Sequence, residues 1–349
     1  MEKYGRCTRR AGLGRTAALA AAALFSLAVM GGCAPSMKTR MLVPAKAYEA
    51  SRLKRVAVMP FTGPDGARVA AEMEAMLAGI TIDGKPYFTV IERNALEKVV
   101  AEQKLSLSGM VDEQTAGSVG KLAGAEGIFM GNVGGIRADD AHSQATRTRC
   151  GAKNQEGKCI RWDEYKVDCT KRTVTFTLTP KVVSTETGQI VSSETLSASA
   201  SDDQCADSGQ ALASVNALSA NAEKAVMDQF REMIAPYYVD MEIKLITSDD
   251  SKMSPEANQC IKDGLAWFKE QRMDRACELW SKAASLHPEG YAIPYLQGVC
   301  AEVHGSLDEA LEYYRAADAR TKKPNKDIAL AISRVETKME NRKKLEKCL

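Results

Sequence analysis

The chain contains 349 residues, of which 45% are hydrophobic and 26% charged, and its formal net charge is +2. Five of the basic residues lie in the first 15 positions, and removal of this N-terminal segment leaves 42 Lys and Arg against 44 Asp and Glu, a net charge of about −2. This balance argues against a nucleic-acid-binding protein. The length is sufficient for two domains.

The N-terminus has the pattern of a bacterial lipoprotein signal. A basic segment precedes an apolar run at 16–30, which is followed by two glycines and Cys33. About 15 residues at about 1.5 Å of rise cover roughly 22 Å, less than the ~30 Å hydrocarbon core, so we expect a processed signal. Cleavage would leave Cys33 for lipidation, and Ala34 favours transport to the outer membrane. The alternative is an ordinary cleaved signal that ends near a cysteine.

Strand and helix patterns alternate through the first part of the chain. Residues 55–61 and 127–133 have the pattern of apolar strands, and a further strand is predicted at 88–92. Amphipathic helices follow the strands at 55–61 and 88–92, and Asp112 is a suitable N-cap for a third helix. The apolar positions of these helices are Val69, Met73, Met76, Leu77, Ile80, Leu96, Val99, Val100, Ala116, Val119 and Leu122.

The order of elements changes in the second half of this domain. Residues 173–178 alternate at period two, 185–188 form a turn, and 189–198 return as a strand. A long amphipathic helix over about 209–234 closes the domain. Hairpin and crossover connections together predict an α/β (α+β) sandwich with a mixed sheet, and not a doubly wound dinucleotide-binding fold.

Several segments of this domain resemble the CsgG family, the curli production assembly and transport lipoproteins. They are KRVAVMPF, the stretch from VIERNALEKVV to GIFMGNVGGI, and VVSTETGQIVSSE, all within residues 52–240. Pore-forming members are lipid-anchored ring oligomers that form an outer-membrane channel, whereas other relatives are envelope lipoproteins, including activators of peptidoglycan synthases. The resemblance therefore implies an envelope assembly protein more strongly than a pore. The residues that carry it are Glu92, Arg93, Glu102, Gln103, Gly120 and Gly124.

Residues 136–170 occupy the place where pore-forming members carry a membrane-inserted β-hairpin. A lipid-facing strand needs an apolar residue at every second position over about 9 to 11 residues. The segment 136–170 has no such register, and the second such place, residues 197–207, is too short to cross and return. We therefore expect a charged, solvent-facing loop at 136–170.

The C-terminal part contains an internal repeat of 34 residues. Its small residues let two helices approach closely and an aromatic side chain fills the space beside them, which matches the tetratricopeptide pattern. Trp267 occupies the aromatic place in the first repeat, where the second has Ala301. Such a scaffold offers a concave surface to a partner's peptide or helix, and the alternative is a structural appendage. The signature positions are Gly264, Ala276, Trp280, Ala283, Pro288, Gly298, Ala310, Tyr314 and Ala317.

The predicted organisation combines these parts. The fold is an α/β (α+β) sandwich with a mixed sheet, followed by an all-α, tetratricopeptide-like helical domain. The expected boundaries are a signal peptide at 1–33, a linker at 34–50, the CsgG-like domain at 51–246 with its insertion at 136–170, a polar linker at 247–256, and two repeats with a capping helix at 257–349.

The exported chain holds eight cysteines beyond Cys33, and an even number in an oxidising compartment favours disulfides. No close CxxC pair is present, so zinc is not predicted. Cys169 and Cys205 lie at nearly equal distances from the turn at 185–188, which places them opposite each other in the hairpin. Two further cysteines lie at similar heights on antiparallel repeat helices. The predicted pairs are Cys150–Cys159, Cys169–Cys205 and Cys277–Cys300, and Cys260 and Cys348 have no assigned partner.

The sequence offers little for catalysis. It contains no P-loop, GxSxG, HExxH or strand-linked GxGxxG motif, and its histidines are His142, His287 and His304. We expect no catalytic residues, cofactor or metal. The expected protein is a lipoprotein on the periplasmic face of the outer membrane, which binds the membrane through Cys33 and an envelope protein through its repeats. Homo-oligomerisation is compatible with the resemblance, and the alternative function is a subunit of a CsgG-type export channel.

Overall fold

The computed structural model describes residues 35–92 and 113–349, and Ser36–Leu349 forms one compact unit. Its strands are β1 (Ser36–Val43), β2 (Arg55–Val58), β3 (Thr81–Ile82), β4 (Lys85–Pro86), β5 (Thr89–Val90), β6 (Gly127–Lys153), β7 (Cys159–Ser184), β8 (Ile190–Ser193), β9 (Leu196–Cys205) and β10 (Tyr237–Lys244). Its helices are α1 (Tyr48–Ser51), α2 (Gly66–Gly79), α3 (Glu113–Leu122), α4 (Val215–Ile234), α5 (Pro255–Lys269), α6 (Met273–Leu286), α7 (Ala292–Val303), α8 (Leu307–Asp318) and α9 (Lys326–Leu345). None of these described helices has both the length and the apolar character needed to cross a membrane.

A mixed six-stranded sheet organises the first part of the chain. Strand β2 pairs in parallel with β5 and β6, as crossover connections require. Strand β6 then pairs antiparallel with β7, which in turn pairs antiparallel with β8 and β9. The predicted mixed sheet is therefore confirmed.

Helices cover both faces of this sheet. Successive side chains of a strand point to opposite faces, so Val56 and Val58 join one core while Ala57 joins the other. Helices α2 and α4 pack on the first face, where the rings of Phe129 and Phe230 meet edge to face at 5.8 Å. Helix α3 packs on the second face. The result is the predicted α/β sandwich.

Some element boundaries differ from those predicted. The helix expected over 209–234 begins at Val215, because Ser214 caps it by accepting a hydrogen bond from Ala217 N at 3.2 Å. The strand predicted at 55–61 is β2, which ends at Val58, three residues earlier than expected. The predicted helix with Leu96, Val99 and Val100, and the cap Asp112, lie outside the described residues.

The segment predicted as a linker at 34–50 contains β1 and α1. Strand β1 pairs antiparallel with β10 along its full length, from Ser36 opposite Lys244 to Val43 opposite Tyr237. None of the β1 side chains is fully buried. A strand without a buried face does not need alternating apolar residues, and its sequence shows no clear alternation. The partner strand lies at the far end of the domain, and no local pattern reveals the pairing.

The helical part continues directly from this β1–β10 ribbon. Helices α5 to α9 pack each against the next, and their apolar core includes Ile243 and Leu245 from the end of the ribbon. The hydroxyl of Tyr295 in α7 donates a hydrogen bond to the carbonyl oxygen of Lys244 at 2.7 Å. The α/β part and the helices therefore share apolar surface.

The predicted polar linker at 247–256 is attached to the helices. Before α5 begins it has no helix or strand, yet Asp249 Oδ2 accepts a hydrogen bond from Ala292 N, the first residue of α7, at 2.8 Å. Ser251 Oγ lies 2.9 Å from Nε2 of His287. The Asp249 contact satisfies a backbone donor at the start of α7, as a helix cap does.

Candidate functional site

The insertion at 136–170 is a β-hairpin, so the expectation of a loop is wrong. Pairing between β6 and β7 runs from Gly127 opposite Ser184 at the base to Lys153 opposite Cys159 near the tip. Hydrogen bonding between backbones does not need apolar side chains, so the register set in the buried base continues through polar sequence. The side chains of the outer half are mostly exposed, which agrees with the predicted solvent-facing character.

Disulfides join strand β7 to its two neighbours, β9 and β6, at two levels. Cys169 lies opposite Cys205 at the end of β9, and these residues form one bridge. Cys150 and Cys159 form a second bridge near the tip. A β-bulge between Val182 and Val183, within the pairing of β7 with β8, accounts for the one-residue offset of this register from the turn. A long two-stranded ribbon is marginally stable alone. The Cys150–Cys159 bridge joins its two strands near the tip, and the Cys169–Cys205 bridge ties β7 to β9 where the ribbon begins.

The helical part contains the third predicted bridge, between Cys277 in α6 and Cys300 in α7. Cys260 and Cys348 are reduced and buried. The Sγ atom of Cys348 lies 3.6 Å from Oγ of Ser51 in α1. The end of the chain therefore packs against the N-terminal segment of the unit.

An ion pair fixes the base of the hairpin to the segment before α4. Arg172 donates to both carboxylate oxygens of Asp140, at 2.8 and 2.6 Å, and to the carbonyl oxygen of Ala213 at 3.2 Å. The hydrogen bonds from Arg172 lower the pKa of Asp140. Asp202 of β9 accepts a hydrogen bond from Ala213 N at 2.8 Å. Strands β6, β7 and β9 are thus joined on one face by polar contacts.

The Cys169–Cys205 bridge joins residues that are 36 positions apart in the sequence, whereas the Cys150–Cys159 bridge joins residues nine positions apart. A bridge that closes a longer loop removes more entropy from the unfolded chain. We expect Cys169→Ala/Cys205→Ala to lower the free energy of unfolding by about 2 to 4 kcal/mol in urea denaturation. The matched control, Cys150→Ala/Cys159→Ala, should lose about 1 kcal/mol less. A larger loss for the tip pair would contradict this prediction.

The 34-residue repeat corresponds to a repeated contact between helices. A Cβ atom at Gly264 in α5 would lie 2.7 Å from Cδ1 of Trp280 in α6. A Cβ atom at Gly298 in α7 would lie 2.7 Å from Cδ1 of Tyr314 in α8. Only glycine allows the aromatic ring to approach this closely at either place. The fully buried alanines at the signature positions are Ala276, Ala283, Ala310 and Ala317, whereas Pro288 is exposed just after α6.

A buried charge cluster, not predicted from the sequence, joins the last three helices. The carboxylate of Glu302 accepts hydrogen bonds from Nε and Nη2 of Arg334, both at 2.8 Å, from Lys338 Nζ at 2.8 Å and from Tyr314 OH at 2.7 Å. The side chain of Glu302 is 0% exposed. Burial alone would raise the pKa of Glu302, but its hydrogen bonds and charge interactions with Arg334 and Lys338 outweigh burial and lower that pKa.

The three histidines lie apart and each has a local partner. His142 Nδ1 lies 3.1 Å from Oγ1 of Thr170, and His304 Nδ1 lies 2.8 Å from the carbonyl oxygen of Cys300. His287 contacts Ser251, whose hydroxyl also bonds to Asp249. Within residues 35–92 and 113–349, no group of three or more His, Cys, Asp or Glu side chains is arranged to hold a metal ion.

Part of the predicted family motif can be located. A Cβ atom at Gly120 in α3 would lie 2.6 Å from side-chain carbons of Ile128 and Thr185, so this glycine permits α3 to pack against the sheet. Gly124 has φ +74°, a left-handed conformation that ends the segment after α3. Glu92 is exposed after β5. The remaining positions, Arg93, Glu102 and Gln103, and the lipidation candidate Cys33 lie outside the described residues.

The solved structures similar to this chain are distant from it in sequence. The LpoB C-terminal domain from Escherichia coli is 14% identical, with 44% of this chain and 94% of that chain covered and a TM-score of 0.26. The PelC dodecamer from Paraburkholderia phytofirmans is 14% identical, with 58% of this chain and 99% of that chain covered and a TM-score of 0.23. No curated protein matches the sequence significantly.

The family comparison is more extensive. The model of the family described as "Curli production assembly/transport component CsgG" matches residues 63–271. This range includes five of the six strands of the mixed sheet, with the β6–β7 hairpin, and also strand β10 and helix α5. Because the match covers more than half of the 349 residues, this protein belongs to the CsgG family.

Proposed function

We propose that this protein is a non-enzymatic lipoprotein, anchored on the periplasmic face of the outer membrane, that assembles an envelope or secretion complex through protein–protein contacts. The observation that carries the proposal is the union of a CsgG-family α/β fold with a helical repeat in one compact unit. An α/β fold with shared apolar contacts to the helices holds the repeat surface in a fixed orientation. A fixed surface loses less conformational entropy when a partner binds.

The repeat surface supports a role in binding a partner protein. The repeated contacts of Gly264 with Trp280 and of Gly298 with Tyr314 are those expected for two tetratricopeptide repeats, and α9 covers their end. On α5, the half-exposed ring of Trp267 lies 5.8 Å from the guanidinium of Arg272. Exposed aromatic and arginine side chains are enriched at protein interfaces. We assign this surface to a peptide or helix of an envelope protein.

The lipid anchor follows from the position of Cys33 in the sequence. Only Ala34 and Pro35 separate it from β1, and this spacer can extend over about 10 Å at most. A diacylglyceryl group with a further acyl chain supplies two hydrophobic anchors, which is sufficient for stable membrane attachment. An anchor there would keep the β1–β10 ribbon close to the bilayer.

Replacing Cys33 should release the protein from the membrane. We expect Cys33→Ser, exported behind a signal that ordinary signal peptidase removes, to appear in the soluble periplasmic fraction. The control Cys7→Ser, within the native signal, should remain with outer membranes. The measurement is immunoblotting of fractions after salt and carbonate washes. If Cys33→Ser still sediments quantitatively with outer membranes, lipidation does not hold the protein there.

Crosslinking in intact cells tests the proposed assembly role. We expect a distinct envelope protein to co-purify with the full chain, and to be lost when the repeats are unfolded by the substitutions given in the Discussion. The alternative, an export-channel subunit, is favoured by the length of the β6–β7 hairpin. Reproducible stepwise currents in planar bilayers, abolished by shortening this hairpin, would replace the proposed function with that alternative.

A further inference from the structure

We propose that the tip of the β6–β7 hairpin, residues 147–166, docks on a membrane surface that carries anionic phospholipid headgroups. This inference goes beyond the proposed function, because it concerns a contact that is independent of the lipid on Cys33 and of the partner protein. Residues 147–166 are called the tip.

The tip is the far end of a long arm. Strand β9 ends at Cys205, opposite Cys169, and beyond this level β6 and β7 continue as a two-stranded ribbon. About ten further residues of β7 at about 3.3 Å each extend the ribbon by roughly 30 Å. A feature at its end can reach a surface that the sheet and helices do not touch.

The tip exposes two large apolar side chains. Ile160 is 66% exposed and Trp162 is 64% exposed, and these are the highest values among large hydrophobic residues in the described parts of the chain. They are separated by one residue in a strand, so both project from the same face. Tryptophan is enriched at the headgroup level of membranes, where its ring is apolar and its N–H can hydrogen-bond to water or lipid.

The tip is also positively charged, in a mature chain that is slightly acidic. Residues 147–166 contain six Lys and Arg against three Asp and Glu. Arg161 is paired with Asp163 at 3.0 Å, whereas Lys158 and Lys166, which lie two residues before Ile160 and four after Trp162, form no ion pair with another described residue. Each basic residue near an anionic membrane strengthens binding by about fivefold.

The tip is held in shape before it binds. The disulfide Cys150–Cys159 closes it, and Asn154 Oδ1 accepts hydrogen bonds from the backbone N–H groups of Glu156 and Lys158 at 3.1 and 2.9 Å. Gly157 adopts φ +79°, which the turn requires and which glycine adopts without strain. The apolar and basic side chains are therefore presented with little loss of backbone entropy on binding.

The size of the patch favours a lipid surface over a protein partner. A stable protein interface buries about 800 Å² on each side, and the tip offers two apolar side chains on a ribbon two strands wide. Interfacial membrane binding needs only a small apolar group that enters the headgroup layer, together with basic residues that face anionic lipid. The combination of Ile160, Trp162 and unpaired lysines has this composition.

Vesicle binding tests the inference on a chain that begins at Ala34, exported to the periplasm so that its disulfides form. We expect it to sediment with vesicles of phosphatidylethanolamine and phosphatidylglycerol, at least tenfold more than with vesicles of phosphatidylcholine alone. Ile160→Ser/Trp162→Ser should reduce this binding at least tenfold, and Lys158→Glu/Lys166→Glu should abolish the preference for phosphatidylglycerol. The matched control Leu330→Ser removes a 53% exposed apolar side chain from α9 and should bind as the unmodified chain does.

Peptide mapping of Cys150 linked to Cys159 and unchanged circular dichroism will establish that the tip variants are folded. The inference is overturned if the unmodified chain does not bind phosphatidylglycerol vesicles, or if the tip variants bind them equally well. It is also overturned if sedimentation velocity shows dimers that the tip variants abolish while no vesicle binding occurs, since the tip would then contact a second copy. None of these results would affect fractionation of the lipidated protein or its crosslinking to a partner, so failure of this inference is distinguishable from failure of the proposed function.

Discussion

Replacing Glu302 by Gln is expected to lower the free energy of unfolding by about 3 to 5 kcal/mol, because it leaves a buried cation without its counter-ion. Arg334, whose side chain is 8% exposed, donates two hydrogen bonds to the Glu302 carboxylate, and Lys338 donates another. A glutamine keeps the shape but loses the negative charge and can accept fewer hydrogen bonds. Urea denaturation followed by circular dichroism measures the change.

The matched control is Glu336→Gln. Its partner Arg315 lies at 2.9 Å, but both side chains are half exposed, so the pair contributes about 0 to 1 kcal/mol. An equal loss of stability in the two variants would show that burial of Glu302 does not determine its contribution.

The same cluster predicts a dependence of stability on pH. The pKa of Glu302 is lower in the folded protein than its ordinary value, so the unfolded chain binds the proton more readily. The stabilisation is therefore fully present above the unfolded pKa of about 4.3, and is lost as the pH falls through the lower folded pKa. Glu302→Gln should show a smaller loss of stability than the unmodified protein between pH 5 and the onset of acid unfolding.

Gly264→Trp should unfold the helical repeats and abolish partner binding. At this position even a Cβ atom would lie 2.7 Å from the Trp280 ring, and an indole cannot be accommodated without separating α5 from α6. We expect a loss of more than about 4 kcal/mol for the helical part. Ala310→Trp, at a fully buried position in α8, should act in the same way.

Ala266→Trp is the matched control, because it adds the same bulk to an exposed position of α5. Hydrogen exchange measured by mass spectrometry should show lost protection in α5 to α9, with the sheet around Phe129 and Phe230 still protected. The β1–β10 ribbon should also lose protection, since Ile243 belongs to the helical core. If partner crosslinking persists in Gly264→Trp after the helices have unfolded, the repeats are a structural appendage and do not bind the partner.

Features that depend on nearby residues or on a repeated spacing follow from the sequence. The pairing of Cys169 with Cys205 could be predicted because both lie in strands joined by a recognisable turn, and the structure places them opposite each other. The contacts of Gly264 and Gly298 follow from a 34-residue repeat that preserves the same small and aromatic residues. The continuous apolar run of β2 likewise indicates a sheet buried on both faces.

The remaining features depend on contacts between distant residues. The sequence predicts a linker in place of β1, because the half-exposed side chains of this strand show no apolar pattern and its pairing depends on the distant β10. The Glu302 cluster draws residues from three helices, and its charged members Glu302, Arg334 and Lys338 each resemble an ordinary surface position in the sequence. The sequence of 136–170 predicts a loop, because strands held by backbone hydrogen bonds and disulfides do not require the apolar side chains that would reveal them. Tertiary structure decided these three features, since pairing energy of this kind depends on which segments meet and not on local hydrophobic periodicity.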